Sequence, residues 1–181
     1  MKTLKKISTG LFLIFIIPFS SAAQQYYHAD GGIGTSIIVV RPSGESLPGE
    51  DEFVLDFIQN LLLSDFFKFT AIYARGSNSE AEISNNETSL LLLGTLSRTA
   101  KAYNIEMAVI DPVSGLKKAS YRGKNINANV ILNGQVINDC FKNLVEQLDI
   151  RLTHAAKNAL KHPNPAEIKA AINLARSNLA E

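Results

Sequence analysis

Three histidines, one cysteine and one glycine-rich run are the residues of this chain whose types could carry chemistry. His28, His154 and His162 stand far apart, and no two share the His-x-x-x-His spacing that sets a pair of imidazoles on one helical face for a metal ion. A metal site is therefore not expected. His154 reads as part of a solvated helical face and His162 as a residue at a helix end, where its partial charge suits the dipole. Asp30-Gly31-Gly32-Ile33-Gly34-Thr35-Ser36 has the glycines of a phosphate cradle, but it precedes a strand instead of opening a helix and lacks a Gly-Lys-Ser/Thr. No Gly-x-Ser-x-Gly elbow occurs, and Asp149 near His154 is an ordinary helical neighbourhood. Cys140, among Val136, Ile137 and Phe141, reads as a buried, inert thiol. Asp65 and Asp111 fall at element ends and read as cap or turn residues. Asn86-Glu87-Thr88 matches a glycosylation acceptor, a pattern common by chance. The residues thus nominate no catalytic group, cofactor or metal, and a non-enzymatic protein is the expectation, with an uncharacterised hydrolase as the last alternative.

Location is easier to read. Lys2, Lys5 and Lys6 precede the apolar run 11–19, and Ser21 and Ala23 are small residues placed for cleavage before Gln24. That is the pattern of a signal peptide over 1–23, too short in its apolar part to span a bilayer of about 30 Å. The expected mature chain of about 158 residues fits a single domain and is expected outside the cytoplasm. Of 18 basic and 17 acidic side chains, loss of the three signal lysines leaves 15 against 17, a formal charge of −2. That balance, without a basic stripe, argues against a nucleic-acid partner. No later run is long enough for a membrane span, and a lone cysteine allows no internal disulfide.

The elements that must position any site follow from periodicity. Residues 24–35 read as a flexible leader, and Ser36 to Val40 as a β-branched strand buried on both faces and central in its sheet, ended by Arg41-Pro42-Ser43-Gly44. Pro48-Gly49 opens a helix with Glu50-Asp51-Glu52 in its first turn and Phe53, Val54, Phe57, Ile58, Leu61 and Leu62 on one side. Phe66 to Ala74 reads as a second strand, making a right-handed parallel crossover. Gly76 to Ser89 is an exposed connection. Leu90 to Arg98, Tyr103 to Asp111 and Lys117 to Arg122 then form an antiparallel meander with an edge-like last strand. Helical period begins near Asn133, a further helix covers Ile150 to Leu160, and after His162-Pro163-Asn164-Pro165 a last one runs from Ala166 to Ala180. The fold class is α/β: a mixed sheet of about five strands with helices packed on it, one domain over 36–160 and a helical tail over 161–181.

Ile37-Ile38-Val39-Val40-Arg41-Pro42-Ser43-Gly44-Glu45, the hairpin Leu91-Leu92-Leu93-Gly94-Thr95-Leu96-Ser97-Arg98 with Tyr103 to Asp111, and Pro112-Val113-Ser114-Gly115 with Lys118-Ala119-Ser120-Tyr121 resemble exported envelope proteins related to the curli assembly and transport component and the penicillin-binding protein activator. The resemblance spans roughly 36–160. It implies a non-enzymatic protein, exported across the inner membrane to the periplasm with outer-membrane association open, that binds another envelope protein, activator-like in wall synthesis or export, or alternatively an assembly subunit of an envelope secretion complex. The chain departs from that pattern at Ala74-Arg75, where relatives carry Asp-Arg, at the short connection 76–89, and at Gln24, where a lipid-bearing cysteine would stand. With a helix missing from that connection, one face of the leucine strand is expected to lie bare and to meet another protein or a second copy, giving a possible homo-oligomer. The candidate partner-binding residues are Arg41, Arg75, Arg98 and Tyr121, long or aromatic side chains at strand ends.

Overall fold

The computed structural model describes residues 36–45, 47–83, 89–99 and 102–178. The signal peptide, the leader, the glycine-rich run up to Thr35, His28 and the Asn86 acceptor lie outside these.

Strand β1 (Ser36–Val40) is central, as its four β-branched residues require: Ile37, Ile38, Val39 and Val40 are all buried. It pairs in parallel with β3 (Tyr73–Ser77) on one side and with β4 (Leu90–Thr99) on the other. β4, β5 (Ala102–Ile110) and β6 (Lys117–Asn127) form the antiparallel meander, in the order β3-β1-β4-β5-β6. The short β2 (Ser43–Glu45) also pairs in parallel with β4. Its partners, Thr95 to Ser97, continue along β4 from those of β1, so β1 and β2 are one strand path broken at Arg41-Pro42, where the proline has no N–H for the ladder. The turn expected at Ser43-Gly44 is thus a resumed strand.

Helix α1 (Phe53–Phe69) is the crossover, and it runs further than its sequence advertises. Phe66 to Thr70, aromatic and β-branched, reads as the start of a strand, but Phe66 lies one helical turn beyond Leu62. It enters the core there and meets Phe141 edge to face at 5.0 Å between ring centroids. Thr70 ends the helix, its hydroxyl donating to the Phe66 carbonyl at 2.8 Å. The second strand therefore begins only at Tyr73. Gln59 ties α1 to the sheet, its amide donating to the carbonyls of Val39 and Ser77, both at 2.8 Å.

Beyond the meander, the Asn127 side chain caps α2 (Ala128–Leu132), a short helix with no periodic signal of its own. α3 (Gln135–Gln147) buries Ile137, Cys140, Phe141, Leu144 and Val145 against α1 and β6. Gly134 separates the two helices at φ 80°, a left-handed backbone that glycine adopts without strain, and a Cβ there would lie 2.5 Å from Ile168 Cδ1. Residues 150–153 are not helical, so the helix expected from Ile150 starts instead at α4 (His154–Lys161), capped by Thr153. α5 (Pro165–Ser177), capped by Asn164 with proline in its first turn, packs on α1.

The face of the sheet away from the helices is not bare. Ile38, Val40 and Leu91 form a second buried cluster with Ile83 and Leu93 against it, so the leucine strand is covered more fully than expected. β6 is an edge strand as expected, extended past Arg122 to Asn127.

Candidate functional site

The carboxyl ends of parallel strands, where an open α/β sheet normally takes a ligand, are occupied here by the chain's own charges. α1 runs against β1, so its amino end sits over this edge together with the acids that precede it. Asp51 lies in a 3-10 turn and Glu52 caps the helix, so they stand before its first turn. Arg41, just past β1, donates through Nε to Asp56 at 2.6 Å and through Nη2 to Glu52 at 3.1 Å. Burial works against the Arg41 charge, but the hydrogen bonds to Asp56 and Glu52 outweigh it and its pKa is raised. Arg98, near the end of β4, pairs with Asp51, which also accepts from the Tyr103 hydroxyl at 2.7 Å. The recess beside this cluster, lined by Asp51, Phe53, Tyr103 and Ile131, holds about 50 Å³, too small for a metabolite. Among the described residues these contacts clamp the amino end of α1 to the sheet and leave no nucleophile beside a base.

The other candidates scatter. Arg75 is exposed on β3, in register with Ile38. Tyr121 is half-buried on β6 opposite Met107, and burial, then Cys140 and Asp139, raise its hydroxyl pKa. The structure brings Arg41 and Arg98 to one edge and keeps Tyr121 on another strand, away from them. Cys140 is fully buried, and burial pushes its thiol far up, as an inert core thiol requires. Asp111 is a turn residue, accepting from the backbone N–H of Val113 and Ser114. Asp65 is not a cap: it lies within α1, 4% exposed, with Oδ2 lacking any hydrogen-bond partner. Burial pushes its carboxyl up to about 7, with Lys68 pulling down and Glu167 up. His154 is exposed and reaches the Asn158 amide at 3.3 Å. No cluster of metal-ligating side chains occurs among the described residues.

A larger recess lies elsewhere, between α5 and the turn from α2 into α3. It is an open groove of about 600 Å³ with Ile168, Ile172, Pro163 and Pro165 as apolar walls and Lys169 and Arg176 on its rim, with no acid in its lining. Arg176 is held over the Phe53 ring at 4.8 Å. Sequence reasoning missed this groove because it exists only once α5 docks. Its sole trace was the helical spacing of Ile168, Ile172 and Ala175.

No protein-family model matches the chain, and neither does any curated protein. Among solved structures it is similar in part to TolB from Acinetobacter baumannii, at 12% identity and a TM-score of 0.43, over 64% of this chain and 28% of that one. A neuraminyllactose-binding hemagglutinin homolog from Helicobacter pylori aligns at 9% identity and a TM-score of 0.41, covering 81% and 95% of the two chains. A PelC dodecamer from Paraburkholderia phytofirmans aligns at 15% identity and 0.41, covering 65% and 89%. The chain thus spans little more than a quarter of TolB. No helix among the described residues is long and apolar enough to cross a membrane.

Proposed function

We propose that this is an exported, non-enzymatic protein of the bacterial cell envelope that acts by binding another protein, and that the α5 groove receives a segment of that partner. The observation that carries the reading is the contrast between the two recesses. At the strand ends, where α/β enzymes work, the charges are consumed in ion pairs around a space of about 50 Å³, while the groove of about 600 Å³ is open, apolar within and cationic at its rim. Such a groove fits an extended or helical segment that offers small apolar side chains and a carboxylate for Lys169 and Arg176. The export-type leader and the resemblance to activator-like envelope proteins support the same reading.

A photo-activatable residue at Asn173, in the groove, and one at Lys124, on β6, test it in living cells. A discrete adduct with one envelope protein is expected from position 173 and none from 124, and Ile172→Asp is expected to reduce the adduct at least tenfold. Equal labelling from both positions, or an adduct indifferent to Ile172→Asp, would contradict it.

A further inference from the structure

Six large apolar side chains are exposed among the described residues, and four of them stand at one end of the sheet: Phe67 (84%), Tyr73 (70%), Val113 (77%) and Leu116 (59%). Register places them there. Tyr73 opens β3 opposite Ser36, the first residue of β1, and Leu91 at the start of β4 faces Ile110, so the β5–β6 turn lies at that same end. α1 runs against β1 and brings Phe67 down in its last turn. Turn positions ordinarily take polar residues, and nothing in the β5–β6 turn requires Val113 or Leu116 to be apolar. Asp111 fixes that turn through hydrogen bonds to Val113, Ser114 and Gly115, and its own N–H donates to Leu116, so the two apolar tips are held rigidly outward.

Their spacing and neighbours identify the surface they meet. Tyr73 and the turn are three to four strand spacings apart, roughly 14–19 Å. Tips set apart in this way can rest together on a plane, which is what a bilayer surface presents. Lysines interleave with the tips: Lys117 and Lys118 follow Leu116, and Lys68 follows Phe67. Two of them have acidic neighbours, Lys118 with Asp111 at 3.7 Å and Lys68 with Glu167 at 2.5 Å. Shallow apolar and aromatic side chains with basic heads beside them are the chemistry that seats a protein on anionic headgroups. We infer that this end of the sheet rests on the surface of an anionic lipid bilayer, with Val113 and Leu116 inserted among the headgroups and Phe67 and Tyr73 as a second foot.

Vesicle co-sedimentation tests this with the exported chain lacking residues 1–23, using phosphatidylcholine vesicles with and without 30% phosphatidylglycerol. Binding to the anionic vesicles is expected, at least fivefold stronger than to phosphatidylcholine alone and weakened by salt. Val113→Ser with Leu116→Ser, and separately Phe67→Ser with Tyr73→Ser, are each expected to lower it at least tenfold, with Lys124→Gln, at the opposite end of β6, unchanged. Matching thermal unfolding of the variants shows that they remain folded. Wild-type protein that stays in the supernatant, or serine variants that bind as well as it does, would overturn the inference. So would sedimentation velocity showing a dimer abolished by Val113→Ser with Leu116→Ser, since the tips would then meet a second copy.

Discussion

In the unfolded chain the Asp65 carboxyl ionises near pH 3.8, while in the folded protein burial holds its proton to about 7. Between those values the unfolded state binds fewer protons than the folded one, so this residue makes stability fall as pH rises from about 4 to about 7, with no further change above. The gap of about 3 pH units sets an upper bound of roughly 4 kcal/mol on the loss. Asp65→Asn keeps the shape and removes the titration. Urea unfolding at pH 4.5 and pH 8 is expected to show the variant gaining about 2–4 kcal/mol on the wild type between the two conditions, and a constant difference would contradict this. Asp65 reads from sequence as a cap because it follows Ser64 at the apparent end of a helix; only the continuation through Phe66 makes it a buried mid-helix acid. Arg41 and Arg98 were legible as strand-end cations, but their carboxylate partners come from an element 11 to 47 positions away in sequence, a pairing no local pattern displays. With both partners partly exposed, a double-mutant cycle of Arg98→Met with Asp51→Asn is expected to give a coupling of about 1 kcal/mol.

Elements were legible where one period dominates. β1 is β-branched from Ile37 to Val40, β5 alternates, and α3 repeats its apolar residues every three or four positions, so their burial follows from the letters. β3 is Tyr-Ala-Arg-Gly-Ser, poor strand-forming material that is a strand because β1 supplies its backbone partners and Gln59 binds the carbonyl of Ser77. The helix–strand ambiguity at Phe66 to Thr70 was settled by a tertiary contact, Phe66 edge to face with Phe141. Phe66→Ala is accordingly expected to cost about 3–5 kcal/mol, against no more than about 0.5 kcal/mol for Phe67→Ser next to it. The junction of α2, α3 and α5 turns on Gly134. Gly134→Ala is expected to cost about 2–3 kcal/mol, from the left-handed backbone and the meeting with Ile168. Adding Ile168→Ala should recover the steric share, so that the double variant loses less than the two single losses combined. Strict additivity in denaturant unfolding would show that the approach of α5 to Gly134 is not as described.

For the whole molecule, the α/β class, the parallel crossover and the antiparallel meander could be read in advance because they depend on periodicity and connection length. The groove could not, because its walls come from segments about 30 positions apart that meet only when α5 docks on α1 and against Gly134. One core runs through the helical side of the sheet and a smaller cluster lies beneath it, so the central strands are covered on both faces and the surface left for recognition is α5, its groove and the sheet ends. Amide hydrogen exchange, compared between the purified protein and the protein in native envelope fractions, tests the docking claim most directly. Slower exchange in the envelope fraction at Pro165–Ser177 and at the residues around Asn133 to Gln135, in addition to any at the β5–β6 turn, is the predicted result. Unchanged exchange there, with protection appearing instead around Arg41, Asp51 and Arg98, would contradict it.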